Sequence, residues 1–524
     1  GTTGAVLINQ TLAAVLYVGL EAASFVGAYI APATTATPAL LSVAQDTLWG
    51  QVSVVDTVVD YSGASGDPSA CAAFNSSHSL YLRDVWVNGC AVIVQGGAGG
   101  HVIAGGNANG GAWSLVKTVV VGVPIPTPKR RCGFANMSAF VNGQRTLSPR
   151  MSDIVPMLSP PPRSVVQQHR WDEKTFPTWD MDHVINARDH GATGDASTDD
   201  SLAIQRAITA AGSEGVVFLP KGFYRLTRTL NVTCSAIIGT DRSLSVLMPM
   251  SDGLINAISP APILRVGGDN QVVVSMLTIV TWEHLDSVWA LDWSNSNPLS
   301  IYRQNYFYRI TECFYGFPHP TPVPVPSSNP TIPCKHQMNL SHPLNLLHDG
   351  AAGKFYNFEN EDFLYEAPEY RHLVISSTRG PLRLYNMNFE HAQSEANAEF
   401  VDAHNVFIFS LKTEGAWRDV IYGGELHNPD VALWVRNSSN INVFSFGGNA
   451  RPMPHGSVYP EGFAQYPPTL YRFENSCPVV VTNLVDQFQF SPDDDWNFVY
   501  EDYHGQVTLT PTCERPVLFT RTSC

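Results

Sequence analysis

Four segments in the C-terminal part of the chain align without gaps and constrain most strongly what it can fold into. They are PLRLYNMNFEH (381–391), NVFIFSLKTEG (405–415), NINVFSFGGNA (440–450) and PVVVTNLVDQF (478–488). In each, the second, fourth and seventh residues are apolar: Leu382, Leu384 and Met387; Val406, Ile408 and Leu411; Ile441, Val443 and Phe446; Val479, Val481 and Leu484. Such alternation gives a strand one inward face. Its recurrence predicts a solenoid of stacked coils, in which each coil buries its apolar side against its neighbours. SLYLRDVWVNG (79–89) fits the same frame and QVVVSMLTIVT (271–281) fits it loosely, so coils are expected in the first third of the chain as well.

At 524 residues the chain suits either two large units or one elongated solenoid. Hydrophobic residues at 44% and charged residues at 15% indicate a folded protein with largely uncharged surfaces. A formal charge of −15 without a basic stripe argues against a nucleic-acid partner. The most apolar window, 12–31, contains Glu21 and repeated Gly and Ser and lacks a positive flank, so no membrane span is expected.

The chain opens on Gly1, as a processed chain or a fragment would. Nine cysteines lack metal-type spacing, and six N-x-S/T sequons occur at Asn9, Asn75, Asn136, Asn231, Asn339 and Asn437. Together they point to a secreted, disulfide-bonded glycoprotein. The odd cysteine count leaves a thiol over, and the terminal Cys524 is the expected one.

Between Val123 and Pro162 the composition turns to Pro, Arg and Ser (PIPTPKRRC, LSPPPRS), which reads as a linker or wrapping segment. A new unit follows: VINARDHGATGDASTDDSLAIQRAITAAG (184–212) predicts a short strand, a Gly and Asp turn, and an amphipathic helix capped by Thr198 or Asp199. GVVFLPKGFYRL then predicts two strands about a Pro-Lys-Gly turn. The run Asp189, Gly191, Ala192, Gly194, Asp195, Thr198, Asp199, Asp200, Ala203, Ile204, Gln205, followed by VFLPKGFYRL, resembles the opening segment of the pectate-lyase-like right-handed β-helix superfamily. That resemblance implies an all-β, right-handed parallel β-helix and leaves the reaction open. The expected organisation is an N-terminal β-helix-like unit over 1–122, a Pro-rich linker over 123–183 and a pectate-lyase-like β-helix over 184–524.

The tenth position of the repeat is Glu390, Glu414, Asn449 and Gln487. Stacked coils lie about 4.8 Å apart, so Glu390 and Glu414 are expected as neighbours on one face. Two close carboxylates shift one another's protonation, which supplies the acid and base of glycoside hydrolysis. A ladder of like residues can equally be a solvated face. His391, Gln393, Glu395 and Asn397 follow Glu390 as a dense polar run, and Trp417 follows Glu414 as a sugar-stacking platform. Trp282, Glu283 and His284 repeat the Glu-His pair elsewhere.

The two-part layout, the Pro-rich connection and the pairing of FEHAQSE with LKTEG resemble glycoside hydrolase family 55, whose members are inverting β-1,3-glucanases with tandem β-helices. The resemblance implies Glu414 as general acid and Glu390, with Gln393, as the side that places the attacking water. His391, Trp417 and Asn449 would then lie along a polysaccharide, and no cofactor or metal is expected. Lys412 stands where that family has a glutamine. A noncatalytic extracellular glycoprotein of a coat, wall or appendage, self-associating or binding glycans, is the alternative. A polysaccharide lyase is another, since Lys412 and Arg418 flank Glu414. Asp493, Asp494 and Asp495 read as a solvated turn rather than a Ca²⁺ site. Asp195, Asp199 and Asp200 are assigned to ordering the turn before the helix. No G-x-S-x-G supports a serine hydrolase.

Overall fold

The structure is a computed structural model that describes residues 2–3, 6–10, 12–17, 22–43, 51–77, 79–96, 103–105, 114–121, 137–147, 155–156, 166–170, 183–249, 260–282, 288–303, 306–310, 342–360, 369–390, 392, 394–413, 431–447, 469–482, 497–511 and 515–524. From residue 184 the strands build three parallel faces of one coil. The first face runs through Val216–Leu219, Ala236–Gly239, Val273–Ser275, Ile301–Arg303, Gly353–Tyr356, Leu382–Phe389, the end of Ala396–Lys412, Ser439–Gly447 and Val479–Thr482. The second runs through Leu230–Val232, Ala261–Val266, Val288–Trp293, Asn345–Leu347, Leu373–Thr378, the start of Ala396–Lys412, Val431–Arg436, Thr469–Glu474 and Asn497–Tyr503. The third is Asp195–Asp199, Gly222–Leu226, Ser245–Pro249, Thr278–Trp282 and Tyr306–Ile310.

The ladder reproduces the gapless alignment residue for residue. Leu382 pairs with Val406, Leu384 with Ile408 and Met387 with Leu411, and these continue to Ile441, Val443 and Phe446 and on to Val479 and Val481. All of these side chains are buried in one core; Leu484 lies outside the described residues. The inward set skips from the fourth to the seventh position for a physical reason. The sixth residue takes positive φ at Asn357, Asn386, Ser410 and Ser445, which breaks the strict alternation and turns the seventh side chain inward. The loosely fitting segment obeys the same frame: Val272, Val274 and Leu277 are in the core and Met276 has φ 59°.

The frame extends to the N-terminal third. Ala22–Val26, Gln51–Val55 and Ser79–Asn88 pair in parallel. Leu80, Leu82 and Val85 enter a separate core, and Gly27, Asp56 and Asp84 hold the sixth-position kink. The described residues of the window 12–31 are strand and turn, including Val15–Tyr17 and Tyr29–Pro32, and no helix among the described residues is long and apolar enough to cross a membrane.

Outward positions of the two strand ladders meet. The fifth residues Tyr385, Phe409 and Phe444 stack with ring centroids 4.9 and 5.4 Å apart, Tyr356 stacks on Tyr385 at 4.7 Å, and Val26, Val55 and Tyr81 pack over them. Within the stretch expected as a linker, Met137–Val141 pairs in parallel with Arg515–Arg521 and forms a hairpin with Gln144–Leu147, so this part closes a sheet rather than only spanning a gap. Residues 166–170 are bolted between the ladders. His169 meets Asp56 at 2.6 Å and the Tyr385 hydroxyl at 2.8 Å, while Lys354 donates to the Arg170 carbonyl and Arg383 to Gln168.

The helix Ser201–Ala211 begins after Asp200, later than expected from Thr198 or Asp199. Asp199 instead accepts from the Ser201 N–H and hydroxyl, while buried Asp200 accepts from the N–H groups of Thr193 and Gly194. Asp195 ties Ser197 and Thr198, so the three acidic residues order the turn as expected. Cys524 is not the spare thiol. It is bonded to Cys477, Cys71 is bonded to Cys90, and the free cysteine among the described residues is the buried Cys234.

Candidate functional site

The first face ends where the repeat ends, and the chain there turns toward the second face. Asn388 pairs with Lys412 across neighbouring coils, and Glu390 stands two residues further on. Its side chain is only 4% exposed, and the Lys412 ammonium reaches its Oε1 at 2.7 Å. The register explains the contact: outward positions eight and ten of adjacent strands are diagonal neighbours, so a long cation at position eight meets a carboxylate at position ten. A buried carboxylate without such a partner would be severely destabilising.

The backbone around Glu390 is fixed on several sides. Its N–H donates to the Asn360 carbonyl at 2.9 Å, and its own carbonyl meets His372 Nε2 at 2.6 Å. His372 Nδ1 meets the Tyr370 hydroxyl at 2.9 Å. Asn397, fully buried, donates through Nδ2 to the Phe389 carbonyl at 3.1 Å and to Thr413 Oγ1 at 2.8 Å, and accepts from the Ala392 N–H at 3.1 Å.

Glu395, from the same polar run, joins a second cluster on the outside of the second face. Arg371 contacts Glu395 and Glu399 at 3.0 Å each, Arg436 also pairs with Glu399, and Arg472 pairs with Glu474 at 2.5 Å. Trp434 lies among the three guanidiniums, with Arg472 4.2 Å and Arg436 4.5 Å from its ring. Burial pushes the Glu395 carboxyl up, against the pull of Arg371 and Arg472. Three arginines facing three glutamates around an indole form a charge-balanced support for the strand starts.

Of the expected site residues, the structure therefore describes Glu390. Glu414, His391, Gln393, Trp417, Asn449, Gln487, Arg418 and the side chains of Trp282, Glu283 and His284 lie outside the described residues, as do Asp493, Asp494 and Asp495. Lys412, read in the sequence as a departure at its position and as a basic flank of Glu414, is the direct partner of Glu390. Asn397 and Thr413 are contacts that sequence reading did not single out as a pair, because their meeting depends on the bend between two faces. Among the described residues no group of three or more His, Cys, Asp or Glu side chains is placed to hold a metal. Of the sequons, Asn231 and Asn437 are exposed, Asn75 is half-buried, Asn9 lies on the strand Val6–Gln10, and Asn136 and Asn339 are outside the described residues.

The family described as rhamnogalacturonase A/epimerase, pectate lyase-like, matches residues 184–259. With the three parallel faces, this match makes the segment 184–259 similar to pectate-lyase-like β-helix proteins. The chain also resembles glycoside hydrolase family 55. A glucan 1,3-beta-glucosidase of Cochliobolus carbonum is 32% identical over 111 residues, 20% of this chain and 14% of that protein. A probable glucan endo-1,3-beta-glucosidase of Arthroderma benhamiae is 26% identical over 151 residues, 28% of this chain and 17% of that protein. The A-module of the Azotobacter vinelandii mannuronan C-5 epimerase AlgE4 aligns at 12% identity over 65% of this chain and 99% of that module, with a TM-score of 0.25 that is too low to carry weight.

Proposed function

We propose that this chain is a secreted glycoside hydrolase that cleaves a β-glucan by inversion, with Glu414 as general acid and Glu390 as the base that activates water. The observation that carries this reading is the Glu390–Lys412 ion pair at the end of the repeat strand, two residues before Glu414 in sequence. An ammonium at 2.7 Å favours Glu390 as a carboxylate, which suits the base and leaves the acid to Glu414. The water oxygen attacks the anomeric carbon and gives its proton to Glu390, while Glu414 protonates the departing glycosidic oxygen. Gln393 helps hold the water, and His391, Trp417 and Asn449 line the sugar. The fungal relatives supply the substrate class, a β-1,3-glucan. The organisation we infer is two β-helical units, 1–122 and 184–524, joined by 123–183. The disulfides and the exposed sequons at Asn231 and Asn437 support secretion and glycosylation.

A second reading has its own observation. Glu390 is nearly fully buried and its charge is already balanced, as expected of a noncatalytic structural or glycan-binding rod. Release of reducing sugar from β-1,3-glucans, other neutral glucans and uronic-acid polymers, with wild type beside Glu414→Gln, separates the readings. Turnover of a glucan that disappears in the variant supports the hydrolase. Unsaturated product from uronates alone indicates a lyase, and no turnover from a folded protein leaves the rod.

A further inference from the structure

We infer that Asn397 is a positioning residue that ties Phe389, the residue before Glu390, to Thr413, the residue before Glu414, an inference that rests on the two-glutamate reaction proposed above. The last backbone pair between those strands is Asn388 with Lys412. Beyond it the side chain of Asn397 takes over. Its amide donates to the carbonyl of Phe389, the residue before Glu390, and to the hydroxyl of Thr413, the residue before Glu414. Its oxygen accepts from the N–H of Ala392, two residues after Glu390. These partners use both amide hydrogens and one lone pair, and they define which way the amide faces.

A stability role alone would be met by any buried contact at this bend. What singles out Asn397 is that its two donated bonds end on the residues immediately before the two glutamates. Both Asn397 and Thr413 are about 1% exposed, so water cannot stand in for either partner at low cost. His372, held by Tyr370, braces the Glu390 carbonyl from the other side. Inverting hydrolysis requires a carboxyl separation of about 6.5–9.5 Å with room for water, and a displacement of about 1 Å can cost roughly 10²-fold in rate.

The test measures kcat and KM on a soluble β-1,3-glucan for wild type, Asn397→Ala, Thr413→Val, Thr413→Ser and the Asn397→Ala/Thr413→Val double variant. The expected result is a kcat loss of roughly 10–100-fold for Asn397→Ala and about tenfold for Thr413→Val, with KM changed less than about threefold. Thr413→Ser, which keeps the hydroxyl, restores most of kcat. The double variant falls no further than Asn397→Ala, because both remove the same bond. Thr413→Val is nearly isosteric and keeps the test valid if Asn397→Ala does not fold. An active wild type with unchanged kcat in Thr413→Val, or additive losses in the double variant, overturns the positioning role alone. A folded wild type without turnover removes the reaction and this inference with it.

Discussion

Lys412 Nζ lies 2.7 Å from Glu390 Oε1, across two neighbouring coils. The pair ties the eighth position of one repeat to the tenth position of the repeat before it.

Removing the cation should expose the cost of burying the anion. Lys412→Met is expected to destabilise the protein by about 3 kcal/mol, the low end for breaking a buried pair because Lys412 is itself 22% exposed. Glu390→Gln added to Lys412→Met should recover most of that loss. Urea unfolding of the single and double variants checks both, and equal stability of Lys412→Met and wild type would mean that the pair does not form.

The bolt at His169 should loosen in acid. Burial lowers the pKa of His169, opposed by Asp56, with Arg383 and Lys354 adding to the lowering and Tyr385 and Tyr356 packed alongside. Its folded pKa is below the unfolded value of about 6.5, so the unfolded chain binds the proton first as pH falls. Stability is therefore fully present above about pH 6.5 and declines below it. Thermal unfolding between pH 7.5 and 5 should show a steeper acid loss for wild type than for His169→Gln; parallel curves would count against the assignment.

Burial pushes the Cys234 thiol up to about 11, which makes it unreactive at neutral pH. Alkylation of the native protein, read at each cysteine by peptide mass spectrometry, should leave Cys234 unmodified until denaturant is added. Modification at native rates typical of an exposed thiol would contradict its buried place in the core.

The turn before the helix should be sensitive to one carboxylate. Asp200 accepts from Thr193 at 2.6 Å and Gly194 at 3.0 Å, so Asp200→Ala leaves two N–H groups without their acceptor. A loss of about 1–3 kcal/mol follows, whereas Asp195→Ala, at an exposed turn, should cost less. Denaturant midpoints of the two variants decide the order.

The fold was legible because the repeat carried its own register. Leu382, Val406, Ile441 and Val479 share a position in the alignment and in the ladder. The left-handed sixth residue was written as Asn, Ser or Asp in several coils, but its meaning needed the structure: Met276 occupies the same kink without any turn signature. The site was less legible because it depends on diagonal and cross-face contacts. Lys412 with Glu390 follows from register once the pleat is known, whereas Asn397 with Thr413 depends on how the chain bends between faces. Among the described residues the free thiol is Cys234 rather than Cys524, because pairing is decided by spatial approach and Cys477 lies beside the terminus with a Cα separation of 5.7 Å.

The central claim is inverting hydrolysis by Glu414 and Glu390, and the anomer released first tests it most directly. Proton NMR of wild type acting on a soluble β-1,3-glucan should show the α-anomeric signal of the new reducing end before mutarotation, with no signal from Glu414→Gln. A β-anomer appearing first, or no new reducing end from folded wild type, would contradict the account.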